Sequence, residues 1–229
     1  MNPRSQIRDL GHPNRFPGRL LPRSFFEESP ELVAPRLLGK VLAHKTGNRI
    51  LAGRIVEVEA YLGPHNKPPD PAAHAHRGPT PRNTVLFGLA GFAYVYAIYG
   101  RYFCMNISCE IEGRAGCVLL RALDPLTGRD EMTQLRGLEP GAKAHQLTSG
   151  PSRLCQALGL TRKGQNGLDL LDPESPLQVR DGGFEVFEVL VTVRIGIKHA
   201  VDWPLRFALP GHNCVSGPRS LTGKRVQVE

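Results

Sequence analysis

The sequence predicts an α+β protein: a single domain built on a curved, mainly antiparallel β-sheet, with short helices around it and a protruding β-hairpin. Most segments with alternating apolar residues are short and are separated by turns, which is typical of antiparallel strands. Helical signals are few and brief. The chain has 229 residues, 41% of them hydrophobic, and shows neither a repeat nor an interdomain linker. One hydrophobic core can therefore account for the folded part.

The chain begins with an arm and a helix. Residues 1–20 are rich in Pro, Arg, Gly and Asn and are predicted to be a flexible basic arm, so that residues 21–229 form the folded domain. Ser29, Pro30 and Gly39 suit the cap, the first turn and the end of a helix.

A pair of strands and a long loop follow the helix. The strands are predicted at residues 40–44 and 49–62, joined by a turn at 46–48. Residues 63–81 form a loop dense in Pro and His. Loops of this length without structure of their own are usually functional or disordered.

The second half of the chain predicts a hairpin, further strands and short helices. The hairpin spans residues 93–108 and has its tip near Tyr99 and Gly100. The other predicted strands are residues 116–123, 185–197 and 205–209, and the predicted helices are residues 128–136 and 151–158.

Net charge and cysteine content bear on the kind of partner that the protein binds and on the cellular compartment that it occupies. The formal net charge is +8, and 22 of the 29 basic residues are arginines, whose guanidinium fork matches phosphate oxygens. A basic protein without such a partner would have the same composition, so charge alone does not decide. Five cysteines without a CxxC pair indicate reduced thiols in a cytosolic protein. No apolar run is long enough to span a bilayer, and no signal peptide is visible.

Two carboxylates on one predicted strand are the first candidates for chemistry. Strand alternation places Glu57, Glu59 and Tyr61 on one face, with the two glutamates about 7 Å apart. Such a pair could perform acid–base catalysis or could belong to a solvated face. The long loop that follows favours a site, because it brings the strand end next to an irregular, histidine-bearing segment.

Arg121 is the only charged residue on an apolar predicted strand. If it is buried it needs a partner, since desolvating an unpaired ion costs several kcal/mol. A carboxylate from a neighbouring strand would supply that partner. The alternative is that Arg121 lies at a strand end and reaches water.

Aromatic residues and histidines supply the remaining candidates. Five aromatics lie within residues 94–103, and Tyr99 falls at the predicted hairpin tip beside Arg101, where it has no core to fill. Apolar wedges of this kind open a DNA duplex in several minor-groove proteins. His65, His74 and His76 are near one another in sequence, but no cysteine or acidic cluster completes a metal-ligand set, so no metal site is predicted.

Several ordered motifs resemble the alkyladenine (3-methyladenine) DNA glycosylase family. The motifs are residues 54–64 (RIVEVEAYLGP), 72–74 (AAH), 80–83 (TPRN), 94–96 (YVY), 98–100 (IYG), 102–106 (YFCMN), 118–123 (VLLRAL) and 149–151 (SGP). Together they extend the resemblance over about residues 20–210. The resemblance implies a monofunctional glycosylase of base excision repair that acts on duplex DNA containing damaged purines and needs no cofactor. It further implies a cytoplasmic, nucleoid-associated protein whose hairpin inserts into DNA. A monomer is expected, because nothing in the sequence suggests a larger assembly.

The resemblance also implies a role for individual residues. Glu59 matches the base that activates the attacking water, and Arg121 and the main-chain carbonyl of Ile195 match the groups that help hold it. Tyr99 matches the tyrosine that intercalates into DNA. The residues that match the base pocket are Tyr61, His74, Tyr96, Asn106 and Leu119, of which Asn106 would exclude normal guanine. Arg82 and Arg101 are predicted to contact the DNA backbone.

Two departures and two rival functions accompany this interpretation. Residues 65–71 are longer than the corresponding acidic segment of the family, and residues 211–229 match nothing. Glu57 is predicted to be a supporting or solvent-facing residue. A non-catalytic minor-groove DNA-binding module is one alternative function. A carbohydrate glycosidase that uses Glu57 and Glu59 together is the other.

Overall fold

The computed structural model describes residues 15–217 and 222–228. The strands are β1 (Arg19–Leu20), β2 (Val41–Thr46), β3 (Arg49–Tyr61), β4 (Ala93–Ile98), β5 (Tyr102–Cys109), β6 (Gly116–Thr127), β7 (Leu177–Asp181), β8 (Glu188–Thr192), β9 (Arg206–Ala208) and β10 (Lys224–Gln227). The α-helices are α1 (Pro30–Leu37), α2 (Arg129–Leu135), α3 (Ala144–Thr148), α4 (Pro151–Ala157) and α5 (Arg162–Gln165). Short 3-10 helices occur at Arg23–Phe25 and Thr84–Phe87.

All strand pairings among the described residues are antiparallel, as predicted. The main order is β1-β7-β2-β3-β6-β5-β4, and β9, β8 and β10 extend the sheet from β3. Helix α1 packs against β3, while α4 packs against β5 and β6. The protein is therefore an α+β domain in which β3 is the central strand.

The 13 residues of β3 are largely buried on both faces. Its apolar residues Val56, Val58 and Ala60 pack into the main hydrophobic core. Glu57 and Glu59, which alternate with them, are also 0% exposed. The alternative in which Glu57 and Glu59 belong to a solvated face is therefore wrong, because both faces of this strand lie inside the protein.

A β-bulge interrupts the pairing of β3 with β6 beside the two glutamates. The neighbouring residues Glu57 and Val58 of β3 lie opposite Ala122 and Leu120 of β6. Arg121 lies between those two partners as one extra residue on β6. Bulges re-aim side chains and are common next to active sites. Alternation along β6 does not predict this extra residue, because a bulge depends on the partner strand.

The predicted hairpin is formed by β4 and β5. The last pair, Ile98 with Tyr102, leaves a three-residue loop at its tip. Tyr99 and Gly100 in this loop have φ angles of 49° and 75°. Such a conformation is easy for glycine but uncommon for a bulky residue. Tyr99 is 89% exposed, so the strained residue is also the one that projects into solvent.

The predicted strand at residues 185–197 is too long. Strand β8 ends at Thr192, because the next residues contact the site instead of a neighbouring strand. Arg194 forms a buried ion pair with Asp70, and the main-chain N–H of Ile195 donates to Glu59. Side-chain partners from distant parts of the chain thus end an element that local alternation would extend.

Short elements account for the other differences. Strands β1, β7 and β10 and helices α3 and α5 were not expected from the sequence. Strand β1 uses residues 19–20 of the predicted arm and pairs with β7. Residues 1–14 of that arm lie outside the described residues, so the proposed arm and its boundary stay predictions. Within the described residues, no helix has the length and apolar character needed to cross a membrane.

Candidate active site

A cavity of about 690 Å³ opens beside the end of β3. Nine residues singled out in the sequence line it: Tyr61, His74, Arg82, Tyr96, Tyr99, Asn106, Leu119, Arg121 and Ile195. Strands β3, β4, β5 and β6 form its sheet wall, and the loops around residues 71–82 and 195–199 complete it. Glu59 lies behind this lining, and Arg101 does not line the cavity.

Glu59 is bonded to three of the residues that line the cavity. Its Oε2 accepts a hydrogen bond from the Tyr61 hydroxyl at 2.9 Å. Its Oε1 accepts one from the main-chain N–H of Ile195 at 2.7 Å and lies 3.1 Å from Nη1 of Arg121. The sequence interpretation gave Ile195 a role through its carbonyl, whereas this contact uses its N–H. A fully buried carboxylate is thus held next to the cavity by three donors.

Tyr61 is a donor whose proton is hard to remove. Burial, and then the negative charge of Glu59, raise the pKa of the Tyr61 hydroxyl far above its usual range. The guanidinium of Arg194 lies 4.6 Å from the centre of the Tyr61 ring. Tyr61 therefore remains protonated at neutral pH and continues to donate to Glu59.

Arg121 is 6% exposed and paired, so the alternative in which it reaches water is wrong. Its Nε donates to Glu57 at 2.8 Å, and its Nη1 lies 3.1 Å from Glu59. Burial by itself would lower the pKa of Arg121, but Glu59 and Glu57 outweigh burial and raise it. The arginine therefore supplies a permanent positive charge between two carboxylates.

Glu57 is 0% exposed, so the alternative in which it faces solvent is wrong. It is bound by Arg121, by Arg206 at 2.7 Å, and by the main-chain N–H and hydroxyl of Ser216 at 2.6 and 2.9 Å. Sequence reasoning missed Arg206 and Ser216. Arg206 carried the same signal as Arg121, a lone charge on an apolar strand, whereas Ser216 carried none.

His74 and two tyrosines form an aromatic cluster at the cavity. His74 Nδ1 lies 2.9 Å from the Tyr94 hydroxyl, and its ring centre lies 4.5 Å from that of Tyr96. Burial, and then the positive charge of Arg82, lower the pKa of His74. Burial raises the pKa of the Tyr94 and Tyr96 hydroxyls. The cluster is thus neutral at neutral pH, with polar atoms on three rings.

Asn83 fixes the loop that carries His74. Its side-chain amide donates to the main-chain carbonyl of His74 at 2.8 Å and to that of Gly78 at 3.2 Å. Its Oδ1 accepts from the main-chain N–H of Thr80 at 2.6 Å. The TPRN motif therefore organises this side of the cavity, with Arg82 lying 5.5 Å above the ring of Tyr96.

Asn106 lies on β5 opposite Leu119 of β6. Its Nδ2 donates to the main-chain carbonyl of Tyr94 at 3.4 Å, and its Oδ1 accepts from the Cys117 thiol at 3.6 Å. Burial raises the pKa of Cys117 to about 12, so the thiol keeps its proton. Hydrogen bonds at both Nδ2 and Oδ1 therefore fix the orientation of the Asn106 amide.

The long loop after β3 is held by a buried ion pair. Asp70 and Arg194 have fully buried side chains, and two nitrogens of the guanidinium contact the carboxylate at 2.5 and 3.0 Å. Asp70 also accepts from the main-chain N–H groups of Leu62 and Ala72. Because Arg194 precedes Ile195, this pair connects the loop to the segment that contacts Glu59.

The other histidines and the hairpin arginine considered in the sequence lie outside the cavity lining. His65, which does not line the cavity, pairs with Glu110 at 2.5 Å. In the parts of the chain that the structure describes, no three His, Cys, Asp or Glu residues are grouped so as to hold a metal ion. Arg101, at the hairpin tip, lies 4.9 Å from the ring of Tyr102. The five cysteines are free and buried.

A buried carboxylate behind an aromatic cavity, beside an exposed hairpin tyrosine, is the arrangement expected of a hydrolase that acts on a base taken out of DNA. Comparison with known families specifies this class: residues 24–213 match the model of the methylpurine-DNA glycosylase (MPG) family. The chain therefore belongs to the methylpurine-DNA glycosylase family and is a DNA glycosylase, a hydrolase of DNA repair. The resemblance seen in the sequence is confirmed.

Three relatives show how far the similarity extends. A protein of Koribacter versatilis is 50% identical over 201 residues, covering 88% of this chain and 95% of the relative. One of Burkholderia lata is 44% identical, covering 89% and 94%. One of Methanoculleus marisnigri is 46% identical, covering 86% and 98%. Each carries the name "Putative 3-methyladenine DNA glycosylase".

Proposed function

We propose that this DNA glycosylase removes alkylated and deaminated purines from duplex DNA by hydrolysis, with Glu59 as the general base. The substrates we propose are 3-methyladenine, 7-methylguanine, hypoxanthine and ethenoadenine. The observation that carries the proposal is the position of Glu59, a fully buried carboxylate held by three residues that line the cavity. The names of the relatives support 3-methyladenine as a substrate.

Glu59 would take a proton from the water that attacks the sugar. Base loss gives the sugar an oxocarbenium-like charge, and a nearby carboxylate both stabilises that charge and activates the water, as the base does in inverting glycosidases. Arg121 and the main-chain carbonyl of Ile195 would hold this water. The N–H of Ile195 donates to Glu59, which brings its peptide segment next to the carboxylate.

The aromatic cluster would receive the flipped base. Tyr61, His74 and Tyr96 line the cavity and would stack on the base and hydrogen-bond its edge. Asn106 and Leu119 form a further part of the wall, where Asn106 would crowd the exocyclic amino group of normal guanine. A cationic alkylated base leaves readily. A neutral base needs protonation or strong hydrogen bonding, and His74, which its lowered pKa keeps neutral, is our candidate for the hydrogen bond.

Tyr99 would fill the gap that the flipped base leaves. It is exposed at the hairpin tip, and it also lines the cavity. Flipping costs a few kcal/mol, and a side chain inserted into the stack offsets part of that cost. Arg82 and Arg101 would contact the phosphates around it, and the net charge of +8 favours DNA through counterion release.

Lys198 is the residue that could change the reaction type. It lines the cavity, although the sequence motifs did not indicate any lysine there. A lysine nucleophile would form a Schiff base with the sugar and allow strand nicking. We propose water as the nucleophile because Glu59, and not Lys198, is fixed by three donors behind the cavity.

The two rival functions differ in what they predict. A glycosidase that uses Glu57 as its second carboxylate is disfavoured, because Arg206 and Ser216, which bind Glu57, do not line the cavity. A non-catalytic module would bind lesion DNA without releasing a base.

A base-release assay on labelled duplexes tests the proposal. Purified protein is incubated with duplexes that contain one hypoxanthine or one ethenoadenine, with methylated DNA, and with the undamaged duplex as control. We expect a free base and strands that break only after alkali, with no protein–DNA adduct on borohydride treatment. Binding without base release would support the non-catalytic module. Nicking without alkali, together with an adduct that a Lys198→Ala variant lacks, would overturn the hydrolytic mechanism.

A further inference from the structure

We propose that Ser216 is a positioning residue that fixes the orientation of Arg121 towards Glu59. Ser216 lies after the segment 24–213 that matches the family, in a part of the chain for which the sequence indicated no role. The proposal rests on the proposed catalytic roles of Glu59 and Arg121. It assigns a function to the segment that follows β9.

Ser216 is buried, and every polar group that it has is engaged. Its N–H and hydroxyl donate to Glu57 at 2.6 and 2.9 Å. Its hydroxyl oxygen accepts from Nη2 of Arg121 at 3.1 Å, and its carbonyl accepts from Arg206 at 2.6 Å. A serine that only filled space would not need four hydrogen bonds to three ionised side chains.

The Arg121 guanidinium is held at its three nitrogens by three different acceptors. Its Nε donates to Glu57, its Nη2 donates to Ser216, and its Nη1 points to Glu59. Because the guanidinium is planar, fixing two of its nitrogens determines where the third one points. Ser216 and Glu57 therefore set the direction of the Nη1 group that contacts the proposed base.

The segment that carries Ser216 is anchored independently of Arg121. Cys214, two residues earlier, is 1% exposed and belongs to the main hydrophobic core. Arg206 on β9 binds both the main-chain carbonyl of Ser216 and the carboxylate of Glu57. It therefore links the loop that carries Ser216 to the sheet. The two carboxylates Glu57 and Glu59 balance the charges of Arg121 and Arg206. Replacing the Ser216 hydroxyl thus removes an orienting contact without leaving an unpaired charge.

Substitution of Ser216 tests the proposal. We expect Ser216→Ala to slow single-turnover base release by about tenfold to a hundredfold, since small misplacement of a catalytic group costs this much. Affinity for the lesion duplex should change less than twofold, so that the loss falls on kcat. Ser216→Thr retains a hydroxyl and should recover most of the rate.

Ser175→Ala is the matched control. Ser175 is also buried, and its hydroxyl donates to the main-chain carbonyl of Leu177 at 2.9 Å, outside the cavity. Its removal should lower the melting temperature without slowing base release. If Ser216→Ala melts too low to assay, Ser216→Cys, which keeps the shape and weakens both hydrogen bonds, should show the same loss of rate.

A double-substitution cycle separates positioning from general damage. In an Arg121→Lys background, Ser216→Ala should slow release less than twofold further, because the group that it orients is absent. A Ser216→Ala or Ser216→Cys rate equal to that of Ser175→Ala would overturn the proposal, as would an undiminished effect in the Lys background. If the wild-type protein releases no base from any duplex, the proposed function itself has failed.

Discussion

Two glutamates that are two positions apart on β3 have different partners, and those partners separate their roles. The oxygens of Glu57 bind Arg121, Arg206 and Ser216. Glu59 is bound by three residues that all line the cavity. Burial is equal for both, at 0% exposure, so it cannot distinguish them. Contact with the cavity lining is what makes Glu59 the candidate base.

His74 gives a prediction that depends on pH. Its pKa is lowered by burial and then by Arg82, so the unfolded chain takes up a proton before the folded one does. The ring should therefore stay neutral in the folded protein at pH values where a free histidine is half protonated, and its protonation should disfavour folding. An NMR titration should place its midpoint below the ordinary value of about 6.5. In Arg82→Gln the midpoint should rise only part of the way, because burial remains; a wild-type midpoint at or above 6.5 would contradict this account.

At the residue scale, a single sequence indicates which side chains are unusual but not which ones meet. Arg121 was recognised because it is a charge on an apolar strand, and its need for a carboxylate partner follows from desolvation. Ser216 could not be found this way, since a serine in a loop is ordinary and two of its partners, Arg121 and Glu57, lie 95 and 159 positions away.

At the scale of elements, a bulge, a hairpin tip and an anchored loop position the functional groups. The hairpin was predictable because its alternation and its glycine turn are local features. Two other features were not predictable, because each depends on a strand or loop far along the chain: the bulge at Arg121 and the ion pair between Asp70 and Arg194. The loop at 63–81, which the sequence left as functional or disordered, is fixed by Asp70.

The hairpin gives a prediction about flipping. We expect Tyr99→Ser to slow base release from duplex DNA much more than from single-stranded DNA, because only the duplex has a stack to fill. Ile111→Ser is the matched control, since Ile111 is an exposed apolar residue on the turn between β5 and β6. Single-turnover rates on both substrates provide the measurement. Equal losses on the two substrates would show that Tyr99 does not act as a wedge.

At the scale of the whole molecule, the sheet and two loops enclose one site. Strands β3, β5 and β6 carry Glu59, Asn106 and Arg121, while the segments around His74 and Ile195 close the cavity. Fold class and the antiparallel sheet could be predicted from local patterns. The way in which the sheet and the loops enclose the cavity could not be predicted, because it depends on contacts between segments distant in sequence. The role of the N-terminal arm and the monomeric state stay predictions.

The central claim is that Glu59 activates the water, and Glu59→Gln tests it most directly. The amide can still accept hydrogen bonds but cannot take a proton. Single-turnover release of hypoxanthine from a duplex should fall by about a hundredfold to ten-thousandfold, with affinity for that duplex nearly unchanged. Glu110→Gln, which alters another buried glutamate that does not line the cavity, should leave release close to the wild-type rate. Release by Glu59→Gln within a few-fold of wild type would contradict the account.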